Sequence, residues 1–136
     1  MRLELTRKSD LAARTMVALA GAGRLKAGDL AEQLETTTGF IPQVVGPLVR
    51  AGWVVSVPGP TGGYELAVDL ADVSVHEVIE AAEGPTHSGR CVVIDRPCDS
   101  HQACLVHDAW AQARHQLVNT LDSTSMLDFA TAGVGR

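Results

Sequence analysis

Apolar residues recur along the first half of the chain at helical spacing, in three short blocks. Ala12, Met16 and Leu19 share one stripe and predict a helix over Ser9–Gly21, with Ser9 as its N-cap and a Gly-Ala-Gly turn behind it. Ala27, Leu30, Ala31 and Leu34 follow an i, i+3, i+4, i+7 pattern, and Thr36, Thr37 and Thr38 are expected to break that second helix. Ile41, Val44, Val45, Leu48 and Val49 make a third, which ends at Ala51-Gly52. The period then drops to two. Trp53, Val55 and Val57 alternate with Val54 and Ser56, Pro58 to Gly63 form a turn, and Tyr64 to Val68 return as a second strand. A fourth helix places Val75, Val78, Ile79 and Ala82 inward and stops at Gly84-Pro85. After a loop-like stretch, a longer helix over Ala103–Leu121 carries Val106, Trp110, Ala113, Leu117 and Leu121 on one stripe.

The predicted fold class is mainly α with a small β-hairpin (α+β). Three short helices and a hairpin follow the order of a winged helix-turn-helix, whose third helix enters the major groove while the wing reaches phosphates or the minor groove. The same elements could equally close a small α+β core with no nucleic-acid role. The expected parts are a winged helix-turn-helix DNA-binding domain over 1–83, a loop over 84–102 that holds two of the chain's three cysteines, and a long dimerisation helix with a tail over 103–136.

Composition changes this picture in two places. With 46% hydrophobic residues in 136, the chain suits a globular protein, but two Trp, one Tyr and two Phe leave the core to Leu, Val, Ile and Ala. The net charge of −5 argues against a nucleic-acid partner until the chain is divided. Residues 1–57 hold seven Lys/Arg against five acids, whereas residues 58–136 hold four against eleven. The first half is therefore mildly basic, which permits phosphate contacts. No apolar run approaches a membrane span, and residues 1–10 carry no secretory pattern, so a cytoplasmic protein without membrane contact is expected.

Candidate chemistry is concentrated in three cysteines, Cys91-x6-Cys98-x5-Cys104, with His107 three residues beyond the last. An odd, local trio is no disulfide framework. Thiolates are the soft ligands of iron–sulfur clusters and zinc, and these gaps leave enough loop to converge on a cluster, whereas zinc more often uses a tight CxxC knuckle. Cys104 is expected near the N-terminus of the long helix, where unpaired amides favour a thiolate, with His107 on the same face. Three small buried cysteines beside a solvated histidine is the plainer alternative. His87, His101 and Asp95 are rival ligands in the same loop, while His76 and His115 read as surface positions and Glu77, Glu80 and Glu83 as a solvated helix face. No Ser/His/Asp constellation, phosphate loop or paired carboxylates suggests an enzyme.

These residues also resemble a family. Met1-Arg2-Leu3, Ala51-Gly52-Trp53-Val54, the wing Gly59-Pro60-Thr61-Gly62-Gly63-Tyr64, Val75-His76-Glu77-Val78-Ile79, and Cys104-Leu105-Val106-His107 with Trp110 together look like the Rrf-two iron–sulfur winged-helix regulators, which include IscR, NsrR and RsrR. The resemblance implies a homodimer paired through the long C-terminal helices. Each protomer would carry one cluster, whose gain, loss, oxidation or attack by nitric oxide changes operator binding. It leaves the fourth ligand open. His107 matches a histidine ligand of two-iron members. Asp10 matches an aspartate that other members supply from the partner subunit to a four-iron cluster, or is simply an acid at a helix N-terminus. His107, and with it a [2Fe-2S] cluster, is preferred, with Asp10 and [4Fe-4S] as the alternative.

The chain departs from the family pattern in three respects. The first cysteine gap is one residue longer than the commonest family pattern, Pro58 stands where many members place a wing arginine, and Gly46-Pro47 is expected to kink or weaken the third helix. The expected function is a DNA-binding transcription regulator acting on a double-stranded operator and gated by the cluster, which would sense redox state, nitric oxide or iron–sulfur supply. Arg2, Lys8 and Arg50 would meet phosphates, Thr37, Thr38 and Gln43 would read bases, and Thr61, Gly62 and Gly63 would bring the wing close. The competing expectation is a zinc- or thiol-based winged-helix protein that works through protein contacts.

Overall fold

A computed structural model describes residues 3–86 and 105–132 of the chain. Helix α1 spans Arg7–Ala22. Its N-cap is Thr6, whose hydroxyl accepts from the Ser9 amide, so the helix begins two residues before the expected position. Ser9 cannot cap because it lies inside the first turn, buried, with its hydroxyl donating to Glu83. Gly23, at φ 83°, ends the helix with its amide on the Leu19 carbonyl.

Helix α2, Ala27–Leu34, buries Leu30, Ala31 and Leu34 as its spacing predicts. The threonines do not terminate it. Glu35 does, in the left-handed region at φ 56°, and the Thr36 amide turns back to the Ala31 carbonyl at 2.9 Å. A 3-10 turn at Thr38–Phe40 leads into α3, Ile41–Arg50, which stays continuous through Pro47. The proline ring removes one backbone donor, but it is buried, and its carbonyl accepts from the Ala51 amide at 3.0 Å. Apolar packing of the whole inner face holds the helix where propensity alone would weaken it.

Strands β2 (Val54–Val57) and β3 (Gly63–Leu66) form the predicted hairpin, in the register Val57↔Gly63 to Val54↔Leu66. Val54, not Val55, is its buried member. A two-residue strand β1, Arg24–Leu25, adds to the other edge of β3 through Arg24↔Glu65 and Leu25↔Tyr64, giving the order β1-β3-β2. Helix α4, Val75–Glu83, is capped by Ser74 and buries Val78 and Ile79. Helix α5, His107–Asp122, buries none of its residues. Residues 126–131, expected as part of a tail, form helix α6 with a Ser125/Asp128 capping box. Its Met126 is fully buried in the same core as Leu11, Leu30, Leu48 and Val78. No fully buried side chain among the described residues is aromatic. The architecture is a winged helix-turn-helix with a C-terminal helix laid on α4.

Candidate nucleic-acid interface and sensor region

The inner face of α3 is taken up by Ile41, Val44, Val45, Pro47 and Leu48. That orientation leaves Gln43 and Arg50 exposed, one above the other, with Gly46 between them. The Arg50 guanidinium lies over Gly46, where a Cβ would stand 3.3 Å from Nη1. Thr37 and Thr38 are exposed just before the helix, held outward because Phe40 packs against the core. Lys8 is half-buried in the first turn of α1. Neither Lys8 nor Arg50 has an ion-pair partner among the described residues. Arg2 lies outside them.

The wing tip, Pro58 to Thr61, carries no charge. Pro58 and Thr61 are exposed, and the Gly62 amide closes the turn on the Gly59 carbonyl at 3.0 Å. Gly62 is buried, and a Cβ there would stand 1.9 Å from the Val57 carbonyl oxygen. At Gly63, with φ 138°, a Cβ would meet the Leu25 carbonyl oxygen at 2.5 Å. Both glycines are thus required by the wing's own backbone packing. Strand β1, too short to show any periodicity, brings Arg24 across this turn: Nη1 donates to the Thr61 carbonyl at 2.9 Å and Nε to Glu65 Oε1 at 2.7 Å.

Of the predicted cluster ligands, Asp10 and His107 lie within the described residues, and Cys91, Cys98 and Cys104 do not; nor do His87, His101 and Asp95. Asp10 is exposed in the first turn of α1, 3.5 Å from Arg14 Nη1. His107 is half-buried as the first residue of α5. No group of three metal-ligating side chains occurs among the described residues. The donor types fit an iron–sulfur cluster, since three thiolates with an imidazole or a carboxylate are soft, largely anionic ligands for iron.

The chain reaches residue 86 on a firm anchor. The Thr86 amide donates to Glu80 Oε2 at 2.7 Å, and its hydroxyl meets His76 Nε2 at 3.2 Å. That amide bond leads the causes that hold the Glu80 carboxyl below the ordinary 4.5, ahead of the opposing effect of burial. His76 is no surface residue: its side chain is 13% exposed, wedged between Glu80 at 3.3 Å and Asp122 of α5 at 3.9 Å. His115, by contrast, is exposed and, among the described residues, pairs only with Asn119 of its own helix.

The expected solvated face of α4 is likewise corrected: among the described residues, Glu80 and Glu83 have hydrogen-bond partners, and Glu77 is exposed with none on its side chain. Glu83 accepts from the Thr6 amide at 3.0 Å, from the Thr6 hydroxyl at 3.1 Å and from Ser9 Oγ, so the end of α4 clasps the start of α1. Burial pushes its carboxyl up, but the hydrogen bonds from Ser9 and Thr6 outweigh that effect and leave it below 4.5. These partners are 74 and 77 residues away, which no local pattern reveals.

At its other end α5 is tied to α4: Ser74 Oγ donates to Asp122 at 2.9 Å, and the Val75 amide to the Thr124 carbonyl at 2.8 Å. Toward the start of α5, Trp110, Ala113 and Leu117 line an apolar groove of about 350 Å³ with Leu3. None of the helices among the described residues is long and apolar enough to cross a membrane.

Known proteins share this arrangement. The profile of the family described as Rrf2, Iron-dependent Transcriptional regulator, matches residues 5–132. The chain is 33% identical over 129 residues to the HTH-type transcriptional regulator ORF2 of Azotobacter vinelandii, covering 93% of this chain and 78% of that protein. It is 29% identical over 127 residues to the HTH-type regulator IscR of Escherichia coli, covering 91% and 78%. The solved structure of CymR, the global cysteine regulator of B. subtilis, superposes with a TM-score of 0.75 at 25% identity, covering 96% of this chain and 98% of that one.

Proposed function

The chain belongs to the Rrf2 family and is a DNA-binding transcription regulator, not an enzyme, and we propose that it works in the cytoplasm as a homodimer whose operator affinity follows the state of an iron–sulfur cluster. Cys91, Cys98 and Cys104 are the proposed thiolate ligands, and His107 the fourth, with Asp10 of the partner subunit as the alternative. The observation that carries this reading is the position of His107 at the first turn of α5, three residues after Cys104, where helix amides and dipole favour anionic ligands. When bound, the cluster supplies a redox couple and a target for nitric oxide, in the [2Fe-2S] form if His107 ligates and the [4Fe-4S] form if Asp10 does.

The chain's own residues provide the connection to DNA. The Glu80–Thr86 bond pins one end of the cysteine segment to α4, and α5 begins at the other. Because α5 is tied to α4 through Asp122 and Thr124, a change at its start is felt by the domain that carries α3. In a dimer joined along α5 that change alters the spacing of two recognition helices, the two-state element that gating requires. The proposed contacts are Arg2, Lys8 and Arg50 to phosphates, Thr37, Thr38 and Gln43 to base edges, and Thr61 at the wing, where Gly62 and Gly63 set the backbone that presents it.

Anaerobic purification with absorption spectroscopy and iron and sulfide analysis tests this reading directly. The expected result is a coloured protein whose spectrum is remodelled in His107→Ala and unchanged in Asp10→Ala, with cluster-loaded and apo forms differing in affinity for a duplex enriched from a random pool. A second reading is favoured by the likeness to CymR: a zinc- or thiol-based winged-helix protein that works without iron through protein contacts. Colourless protein containing stoichiometric zinc or none, with equal DNA binding before and after metal removal, would establish that reading and overturn the cluster.

A further inference from the structure

We propose that Arg24 is a positioning residue for DNA binding: from strand β1 its guanidinium braces the wing tip at the height the duplex requires. The wing supplies no cation of its own, because Pro58, Gly59, Pro60 and Thr61 make up its exposed tip. A four-residue tip on a two-stranded ribbon is free to splay unless something outside the ribbon holds it. Arg24 does so from the third strand. It lies directly opposite Glu65 in the β1–β3 register, and both Nε and Nη2 reach the same oxygen, Glu65 Oε1, at 2.7 and 2.5 Å. Nη1 continues to the Thr61 carbonyl at 2.9 Å, so one rigid planar group ties the tip of the turn to the stem of the wing and to β1.

The backbone beneath leaves no slack. Gly63 lets the Leu25 carbonyl pass where any Cβ would collide, which places Arg24 within reach of the turn. Exposure separates orientation from stability. The Arg24 and Glu65 side chains are 42% and 34% exposed, and ion pairs that open to water contribute little to folding. Glu65 also neutralises the guanidinium, so Arg24 acts on the position of the Thr61 backbone rather than as a phosphate contact.

The test uses the full chain and a duplex that wild-type protein enriches from a random-sequence pool. Arg24→Ala is expected to bind it about five- to tenfold more weakly, with the salt slope unchanged. Hydroxyl-radical protection is expected to vanish at the minor-groove flanks, where the wing sits, and to persist at the major-groove centre, where α3 sits. Arg24→Lys keeps the charge but cannot reach both acceptors, and should behave like the alanine variant. Glu65→Ala should also lose flank protection, and all three should melt near wild type. Flank protection retained in Arg24→Ala or Glu65→Ala, rescue by lysine, or a salt slope lowered by about one would overturn the brace, the last by revealing a direct phosphate contact. A wild type that enriches no duplex would overturn the DNA-binding role and the brace together, before any variant is made.

Discussion

Glu83 illustrates how little the chemistry of a single side chain says about its work. One of three acids on a short helix, it accepts three hydrogen bonds from Thr6 and Ser9 at the start of α1. Its folded carboxyl titrates below the 4.5 of a free glutamate. A depressed folded value means that the ionised clasp stabilises the native state above the unfolded pKa, and that this contribution is lost as pH falls through the lower folded value. Glu83→Gln should therefore be less stable than wild type at neutral pH, and the difference should shrink on acidification below 4.5, as followed by urea unfolding at stepped pH. Gly63 carries a steric constraint instead. With φ 138° and backbone atoms of Leu25 within 2.8 Å of where a Cβ would lie, Gly63→Ala combines backbone strain with a collision neither partner can relieve by rotating. A loss of about 1–3 kcal/mol is expected from thermal denaturation, with detachment of β1 from the sheet.

Elements depend on their neighbours more than on their own propensities. Helix α3 contains Pro42 and Pro47 and still presents Gln43 and Arg50 on a continuous helix, because five of its ten residues are buried against α1, α2 and α4. Helix α6 is only six residues long and could not stand alone. Its capping box starts it, the Met126 amide bonds to the Val73 carbonyl at 2.7 Å, and the Met126 side chain enters the core. Met126→Ala should destabilise the protein by about 2–4 kcal/mol in chemical denaturation. It should also loosen the end of α5, seen as faster amide exchange at Val118 to Asp122. If α6 frayed with no loss of global stability, its place in the core would be disproved.

At the scale of the whole molecule, α5 presents an apolar stripe that the other described residues leave partly exposed. Leu117 is 47% exposed on this sixteen-residue helix, and with Trp110 it lines the apolar groove. In the proposed dimer the partner helix covers that stripe. Leu117→Glu should then sediment as a monomer and bind the enriched duplex at least tenfold more weakly, since two linked heads reinforce one another. Wild-type protein that sediments as a monomer at micromolar concentration would remove the dimer. The charge division acts at the same scale: a chain of net charge −5 can bind DNA because Lys8 and Arg50 have no ion-pair partner among the described residues and lie within residues 1–57, where seven Lys/Arg outnumber five acids, while the other eleven acids lie in residues 58–136.

Periodicity alone determined the helical stripes, the hairpin and the mainly α class, because burying an apolar face leaves a local signature of period 3.6 or 2. It also placed Gln43 and the threonines before α3, since a helix that buries Ile41, Val44 and Leu48 must show its other side. Tertiary structure decided whatever depends on partners distant in the chain. Thr6 rather than Ser9 caps α1 because Glu83 claims the serine, and Glu35 ends α2 through a backbone twist that no residue type announces. His76 is enclosed because Asp122 arrives from α5, and Arg24 acquires a role only once two residues of chain become a strand. Hydrogen bonds and close backbone approaches across dozens of residues leave no periodic trace, so they could be seen only after the chain had folded.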